Sequence, residues 1–298
     1  MKDIIMNKQY CAALLVTIIF CNGCDNSTSA ENQQLTQALV KRSLDNMVPV
    51  TGGEFLMGDF GPLIWEKLPF SMNQDDKYLH KVRLSDFMIG KYKVTHKDYN
   101  EYIKITHHKK LTYIGGGKLL ADDVSVSVPW QMAKDYCLWL GKMSGKRVDL
   151  PTEAQWEYAA RSRGQYLPYA TSNGKIERGV NVPSFDERAK MNDIGVPIYP
   201  VGKYPPNPLG LYDMGLSGLE WANDWYAADY YAHSPVDNPQ GPETGDRKVL
   251  RGYSGGDYQA ALTMFRKSNF PSPLWDGHKA EDNKFPPNYG FRCVVNNG

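Results

Sequence analysis

Cysteine is the first residue type in this sequence that could do chemistry. The chain has five cysteines, and Cys11, Cys21 and Cys24 all fall in an apolar N-terminal segment. Only Cys137 and Cys293 are left in the remainder of the 298 residues. In an exported protein two such cysteines suggest a disulfide, and two buried free thiols are the alternative.

The histidines do not form a metal-binding pattern. None of the six histidines has the one-turn helical spacing or the His-x-His pairing that is typical of zinc and iron sites. The charges are also balanced, with 34 Lys and Arg against 33 Asp and Glu. Because a nucleic-acid-binding domain usually carries an excess of basic residues, the sequence predicts no nucleic-acid partner.

One carboxylate is a candidate for catalysis. Asp257 follows a Gly-Gly pair, and it could act as a general base if burial raised its pKa. The alternative is local hydrogen bonding, because Asp is common in turns of this kind. Ser254, three residues earlier, lies in no nucleophile-elbow motif.

The N-terminal residues 1–24 have the composition of a targeting segment. Lys2 and Lys8 precede a ten-residue apolar run, which is too short to cross a bilayer core about 30 Å thick. The Gly-Cys pair that follows resembles the end of a bacterial lipoprotein signal with Cys24 as the lipid-bearing residue, and an ordinary cleaved signal is the alternative. Asp25 resembles an inner-membrane retention signal. We therefore expect a periplasmic protein that is anchored to a membrane by lipid, with the inner membrane favoured.

The elements that must position any site lie further along the chain. Residues 25–47 are polar and predict a flexible tether, and residues 48–298 predict a single domain without internal repeats. Thr95 and Thr152 each precede a helical pattern as a candidate N-cap. Residues 129–141 carry apolar side chains at helical spacing.

Five motifs follow one another in an order that resembles the formylglycine-generating enzyme family, also called sulfatase-modifying factors. They are GGEFLMGD at 52–59, LPTEAQWEYAAR at 150–161, GLSGLEW at 215–221, KVLRGYSGG at 248–256 and GFRCVV at 290–295. The resemblance implies an α+β fold, irregular and rich in loops, that is a relative of the C-type lectin fold. It also implies a disulfide between Cys137 and Cys293.

The resemblance extends to the framework but not to the copper chemistry. Enzymes of this family bind copper through two cysteines after the RGG motif, and Asp257 and Leu262 stand at those positions here. Relatives that bind iron take their histidines from an additional helical domain, for which residues 48–298 leave no room. We therefore expect neither copper nor iron and no sulfatase activation.

Structural calcium is the metal that the resemblance does imply. Hard cations prefer loop carboxylates and carbonyls, and the expected ligand positions are Asn181, Val182, Asp193 and Gly195 for one ion and Ser217, Gly218 and Glu220 for another. Ser217 and Leu216 replace the customary Asn and Gly of the second set. Turn-forming residues without an ion are the alternative.

The expected function is inferred from two features, the absence of the copper-binding cysteines and the presence of an export signal. Family lipoproteins without the cysteine pair resemble immunity proteins, which bind and neutralise an antibacterial effector of the type VI secretion system. The expected partner-binding residues lie in two aromatic loops, and they are Tyr230, Tyr231, Phe265, Arg266, Phe270, Trp275 and His278. One alternative is a periplasmic tailoring oxidase of the siderophore-maturation branch, and another is a lectin-like or structural lipoprotein.

Overall fold

The structure is a computed structural model, which describes residues 23–65, 67–108, 110, 112–113, 117–190, 198–252, 261–272, 284–285 and 288–297. The α-helices of these residues are α1 Gly23–Asp45, α2 His96–Thr106, α3 Trp130–Ser144, α4 Glu153–Ala160 and α5 Phe185–Ala189, and short 3-10 helices lie at Gly61–Leu63, Gly117–Leu120 and Tyr230–Ala232. The strands are β1 Met47–Val50, β2 Gly53–Met57, β3 His80–Leu84, β4 Phe87–Gly90, β5 Thr112–Tyr113, β6 Val148–Asp149, β7 Leu219–Trp225, β8 Lys248–Gly252, β9 Arg266–Asn269, β10 Lys284–Phe285, β11 Tyr289–Gly290 and β12 Val294–Asn296.

Two four-stranded sheets form the framework, in the orders β1-β4-β12-β6 and β11-β7-β8-β9. Their strand pairs are antiparallel except for β11, which runs parallel to β7. The pairs β2-β3 and β5-β10 are separate ribbons. Helices, short antiparallel strands and long connections together confirm the predicted α+β class.

Local capping chemistry fixes where the helices begin. Thr152 accepts a hydrogen bond from the Gln155 amide at 3.1 Å, and the Gln155 side chain accepts one from the Thr152 amide at 3.0 Å. This reciprocal capping box satisfies two donors at the start of α4. Thr95 caps α2 by accepting from the Asp98 amide. Both predicted N-caps are therefore confirmed.

Residues 25–47 differ from the predicted tether, because most of them form α1. Leu39 on this helix is fully buried, and Arg42 pairs with Asp98 at 2.7 Å and with Glu101 at 2.6 Å. The polar composition of the segment hides its few apolar residues: Leu39, Val40 and Leu44 pack on the core, and the Arg42 ion pairs join the helix to α2. Within the described residues, no helix combines the length and apolarity that a membrane crossing requires.

A disulfide joins α3 to the chain just before β12. Cys137 and Cys293 are bonded with their Cα atoms 5.6 Å apart, across a sequence separation of 156 residues. This confirms the expected pairing. Closing so long a loop stabilises the fold by about 5 kcal/mol in the chain-entropy model.

Candidate functional site

Helix α4 is joined to strand β8 by buried salt bridges. The Arg251 guanidinium donates to Glu153 at 2.8 Å and to Glu157 at 2.8 Å, and all three side chains are at most 3% exposed. Arg161 also pairs with Glu157, at 2.7 Å. Because ions buried in this way lose their hydration, they need the multiple partners that the cluster provides.

Arg266, the first residue of β9, extends this cluster towards the surface. It donates two bonds of 2.9 Å to the Glu153 carboxylate, and its guanidinium lies over the rings of Tyr226 and Tyr231 at 4.8 and 4.4 Å. Burial alone would raise the pKa of Glu153, but Arg266 and Arg251 outweigh it and hold that pKa below its usual value. Glu153 is therefore ionised and fixes the position of both guanidinium groups.

A second buried carboxyl group lies behind Glu153. Asp224 on β7 accepts a hydrogen bond from the Glu153 amide at 2.8 Å. Burial, helped by the negative charge of Glu153, raises the pKa of Asp224 to about 7. The cluster thus contains one carboxyl group that titrates near neutral pH.

An open cleft of about 650 Å³ lies over Arg266. Its lining is mostly polar or charged and comprises Asn73, Gln74, Asp75, Tyr226, Ala228, Asp229, Phe265, Arg266, Lys267 and Ser268. The Tyr226 hydroxyl donates to Asp75 at 2.8 Å. Burial and the Asp75 carboxylate raise the pKa of Tyr226 to about 12, so its phenol keeps the proton that it donates. The cleft presents fixed donors and acceptors of both charges.

Large apolar side chains are exposed on the segment whose residues Asn73, Gln74 and Asp75 line this cleft, and we call residues 61–65 and 67–78 the apolar segment. The exposed fractions are 44% for Leu63, 67% for Trp65, 66% for Leu68, 92% for Met72 and 56% for Tyr78. Sequence reasoning missed this segment. The available signal was its density of large apolar residues without helical or strand periodicity.

The expected partner-binding residues separate into buried and accessible ones. Tyr230, Tyr231 and Arg266 are only 9%, 2% and 1% exposed, and their role in partner binding stays a prediction. The Tyr231 hydroxyl and the Arg266 guanidinium both bind Glu153 beneath the cleft, and Tyr230 packs in the same apolar core cluster as Tyr231.

The other predicted partner-binding residues are accessible or undescribed. Phe265 is half-buried and lines the cleft, and Phe270 is 50% exposed with the Arg247 guanidinium 4.7 Å from its ring. Trp275 and His278 lie outside the described residues.

The positions assigned to the copper cysteines contain no thiol. Asp257 lies outside the described residues, whereas Leu262 is 7% exposed and packs with Phe60 and Met264 in an apolar cluster. Cys137 and Cys293 are consumed by their disulfide. Cys24 lies in the first turn of α1.

The second expected calcium set already has partners from the protein. The Gly218 carbonyl accepts from the Lys93 ammonium at 2.9 Å, the Glu220 carboxylate accepts two bonds from Arg292 at 2.6 and 2.9 Å, and the Ser217 hydroxyl accepts from the Tyr199 amide at 3.4 Å. These residues do not fit a calcium ion in this arrangement, because the ion would have to displace the ammonium. Calcium there stays a prediction.

The first expected calcium set is only partly described. The Asn181 side chain accepts from the Glu177 amide at 2.8 Å, and the Val182 carbonyl accepts from the Gly179 amide at 2.7 Å. Asp193 and Gly195 lie outside the described residues. Among the described residues, no cluster of three or more His, Cys, Asp or Glu could hold a metal.

Residues 32–297 match the family of sulfatase-modifying factor enzyme 1-like domains. The chain belongs to this family. It is 29% identical to the formylglycine-generating enzyme of Streptomyces coelicolor over 302 aligned positions, covering 85% of this chain and 90% of that enzyme. The structure of PvdO from Pseudomonas aeruginosa is similar with a TM-score of 0.63 and 25% identity, covering 84% of this chain and 94% of PvdO.

A third similarity concerns part of a larger protein. The serine/threonine-protein kinase pkn1 of Chlamydia pneumoniae is 30% identical over 273 aligned positions, covering 85% of this chain. The chain spans 38% of the length of that kinase.

Proposed function

We propose that this member of the family is a binding protein that uses the formylglycine-generating enzyme fold without copper-dependent cysteine oxidation. The observation that carries the proposal is Leu262, which occupies a copper-cysteine position and is buried against Phe60 and Met264. The aliphatic side chain of Leu has no ligand atom for copper, and the two cysteines of the domain, Cys137 and Cys293, are bonded to each other. Purified protein supplied with copper should therefore not convert a sulfatase cysteine to formylglycine.

The recognition surface in this proposal is the apolar segment together with the cleft beside it. Exposed apolar side chains that are clustered and bordered by polar groups are typical of protein-protein interfaces. Trp65 and Met72 are the strongest anchors, because Trp contributes large binding energies and Met adapts its shape to a partner. Asp75 and Lys267 in the cleft add charged groups that fix the register of a bound chain.

The partner that fits the expected location is a secreted antibacterial effector of the type VI secretion system. The support is the resemblance to immunity lipoproteins together with an export signal ending in Cys24. In this proposal the lipid on Cys24 holds the protein on the periplasmic side of a membrane, where an incoming toxin arrives. Neutralisation then consists of occupying the toxin surface, and no chemistry is required.

The test measures binding and protection with matched variants. A toxin candidate encoded beside this gene is produced in sensitive cells, and its affinity for the purified protein is measured by calorimetry. We expect Trp65→Ala to weaken binding by a factor of roughly 30, the effect of an interface hot spot of about 2 kcal/mol. Leu138→Ala is the control, because Leu138 is 46% exposed on α3 and belongs neither to the apolar segment nor to the lining of the cleft. Equal binding by both variants would contradict the assigned surface.

A tailoring enzyme is the second candidate, and the Tyr226-Asp75 hydrogen bond is the observation that favours it. Convergent polar groups in a cleft are what an enzyme uses to orient a small substrate, and the likeness to PvdO is compatible with a role of this kind. Tyr226→Phe separates the two proposals. It should leave protein binding nearly unchanged in the first and abolish turnover in the second.

A further inference from the structure

The ammonium group of Lys93 lies in a ring of three consecutive backbone carbonyls. It donates to the carbonyl oxygens of Leu216, Ser217 and Gly218 at 2.7, 3.0 and 2.9 Å. Lys93 is 1% exposed, so this charge is held away from water. A buried ammonium has three protons to donate, and here all three have acceptors.

The backbone before β7 is bent so that these carbonyls converge. Ser217 has a φ of 55° and Gly218 a φ of 92°, both in the left-handed region. A side chain at Gly218 would also collide with the Asn288 carbonyl, since an added Cβ would lie 2.9 Å from that oxygen. Convergent carbonyl oxygens in a tight turn are the arrangement with which proteins bind hard cations.

The charges around the turn are balanced when Lys93 is counted. Its charged neighbours are Glu220, Arg292 and Asp213. Glu220 and Arg292 form a fully buried salt bridge of 2.6 Å, which leaves Lys93 to balance Asp213. A divalent cation added here would give this set of buried charges an excess of positive charge. The carbonyl oxygens that would bind the cation already accept hydrogen bonds from Lys93.

We infer that the Lys93 ammonium replaces the structural calcium ion at this turn, as a cation that is covalently part of the chain. Ser217 is consistent with the replacement, because its side chain provides no amide oxygen for a metal. The turn that leads into β7 is then stable without calcium. Since β7 is the neighbour of β8 in the sheet beneath the cleft, the framework of the site is also independent of calcium at this position.

The experiment compares thermal unfolding of the full chain with calcium and with a chelator. Asp193→Ala is the background, because it removes a side-chain ligand of the other expected calcium set. We expect the same melting temperature in both buffers. Lys93→Met in that background should melt about 10 °C lower, as expected for loss of one buried charge from a paired cluster. Lys97→Met, at an exposed position of α2, should melt at the original temperature.

Two results would overturn the inference. One is a lower melting temperature of the Asp193→Ala protein in chelator, and the other is a Lys93→Met variant of that protein with an unchanged melting temperature. If Lys93→Met does not fold, amine labelling of the unmutated chain decides instead. Acetic anhydride should modify Lys97 well before Lys93, and equal rates would show that the ammonium is not held in the carbonyl ring.

Discussion

Replacing Arg251 with Met tests whether the buried charge cluster is a single cooperative unit. The substitution keeps an unbranched side chain near Trp156, whose ring lies 5.2 Å from the guanidinium carbon, and it removes the hydrogen bonds to Glu153, Glu157 and the Thr263 carbonyl. Breaking a buried ion pair by removing one partner costs about 3–5 kcal/mol. In this variant Glu153 is still paired with Arg266, and Glu157 is still paired with Arg161. We therefore expect a loss of free energy of unfolding at the lower end of this range, about 3 kcal/mol.

Urea unfolding followed by tryptophan fluorescence measures this loss as a change in the free energy of unfolding. Arg83→Met is the control, because Arg83 is 51% exposed and pairs with Glu54 and Asp237 at the surface. It should change stability little. Adding Glu157→Gln to Arg251→Met should cost less than the two single effects added together, since Glu157 has already lost one of its two guanidinium partners.

An Arg251→Met protein that loses less than about 1 kcal/mol, the range of an exposed salt bridge, would show that the buried cluster is not a cooperative unit. The same conclusion would follow if the double variant lost the sum of the two single effects, because independent sites add and members of one cluster do not.

Two further predictions concern pH and the disulfide. Asp224 has a pKa of about 7 in the folded protein and about 4 in the unfolded chain. Between these two pH values the folded protein binds a proton that the unfolded chain releases. The contribution of Asp224 to the free energy of unfolding therefore falls as pH rises through this range. In urea unfolding we expect the difference in free energy of unfolding, Asp224→Asn minus unmutated protein, to be more favourable to the variant at pH 8 than at pH 5. An equal difference at both pH values would contradict this prediction. Replacing Cys137 and Cys293 with Ser should lower the free energy of unfolding by about 2–5 kcal/mol under oxidising conditions, and reduction of the unmutated protein should reproduce that loss.

Local features of this fold could be predicted from the sequence, whereas long-range ones could not. The caps at Thr95 and Thr152 depend on residues within one turn, and both were found. The Cys137-Cys293 bond followed from the family resemblance. Lys93 carries no such signal, because its three acceptors lie 123 to 125 residues away in sequence.

The burial of the aromatic residues was also set by contacts that are distant in sequence. Tyr230 and Tyr231 have the composition of an interface, and nothing nearby in the sequence indicates that they are buried. The decisive contact is with Glu153, which lies 78 residues from Tyr231. The exposed Trp65 and Met72 were overlooked for the opposite reason, because residues of these types are usually assigned to a core.

The docking of α1 has a consequence for how the N-terminal end of the chain is connected to the domain. A helix of 23 residues is about 35 Å long, and its last turns are clamped to α2 by Leu39 and by the Arg42 ion pairs. If Cys24 carries the proposed lipid, the domain is joined to the lipid by a docked helix and not by a flexible tether. The length of the docked helix then sets the distance between the lipid and the domain, which a flexible tether would leave variable.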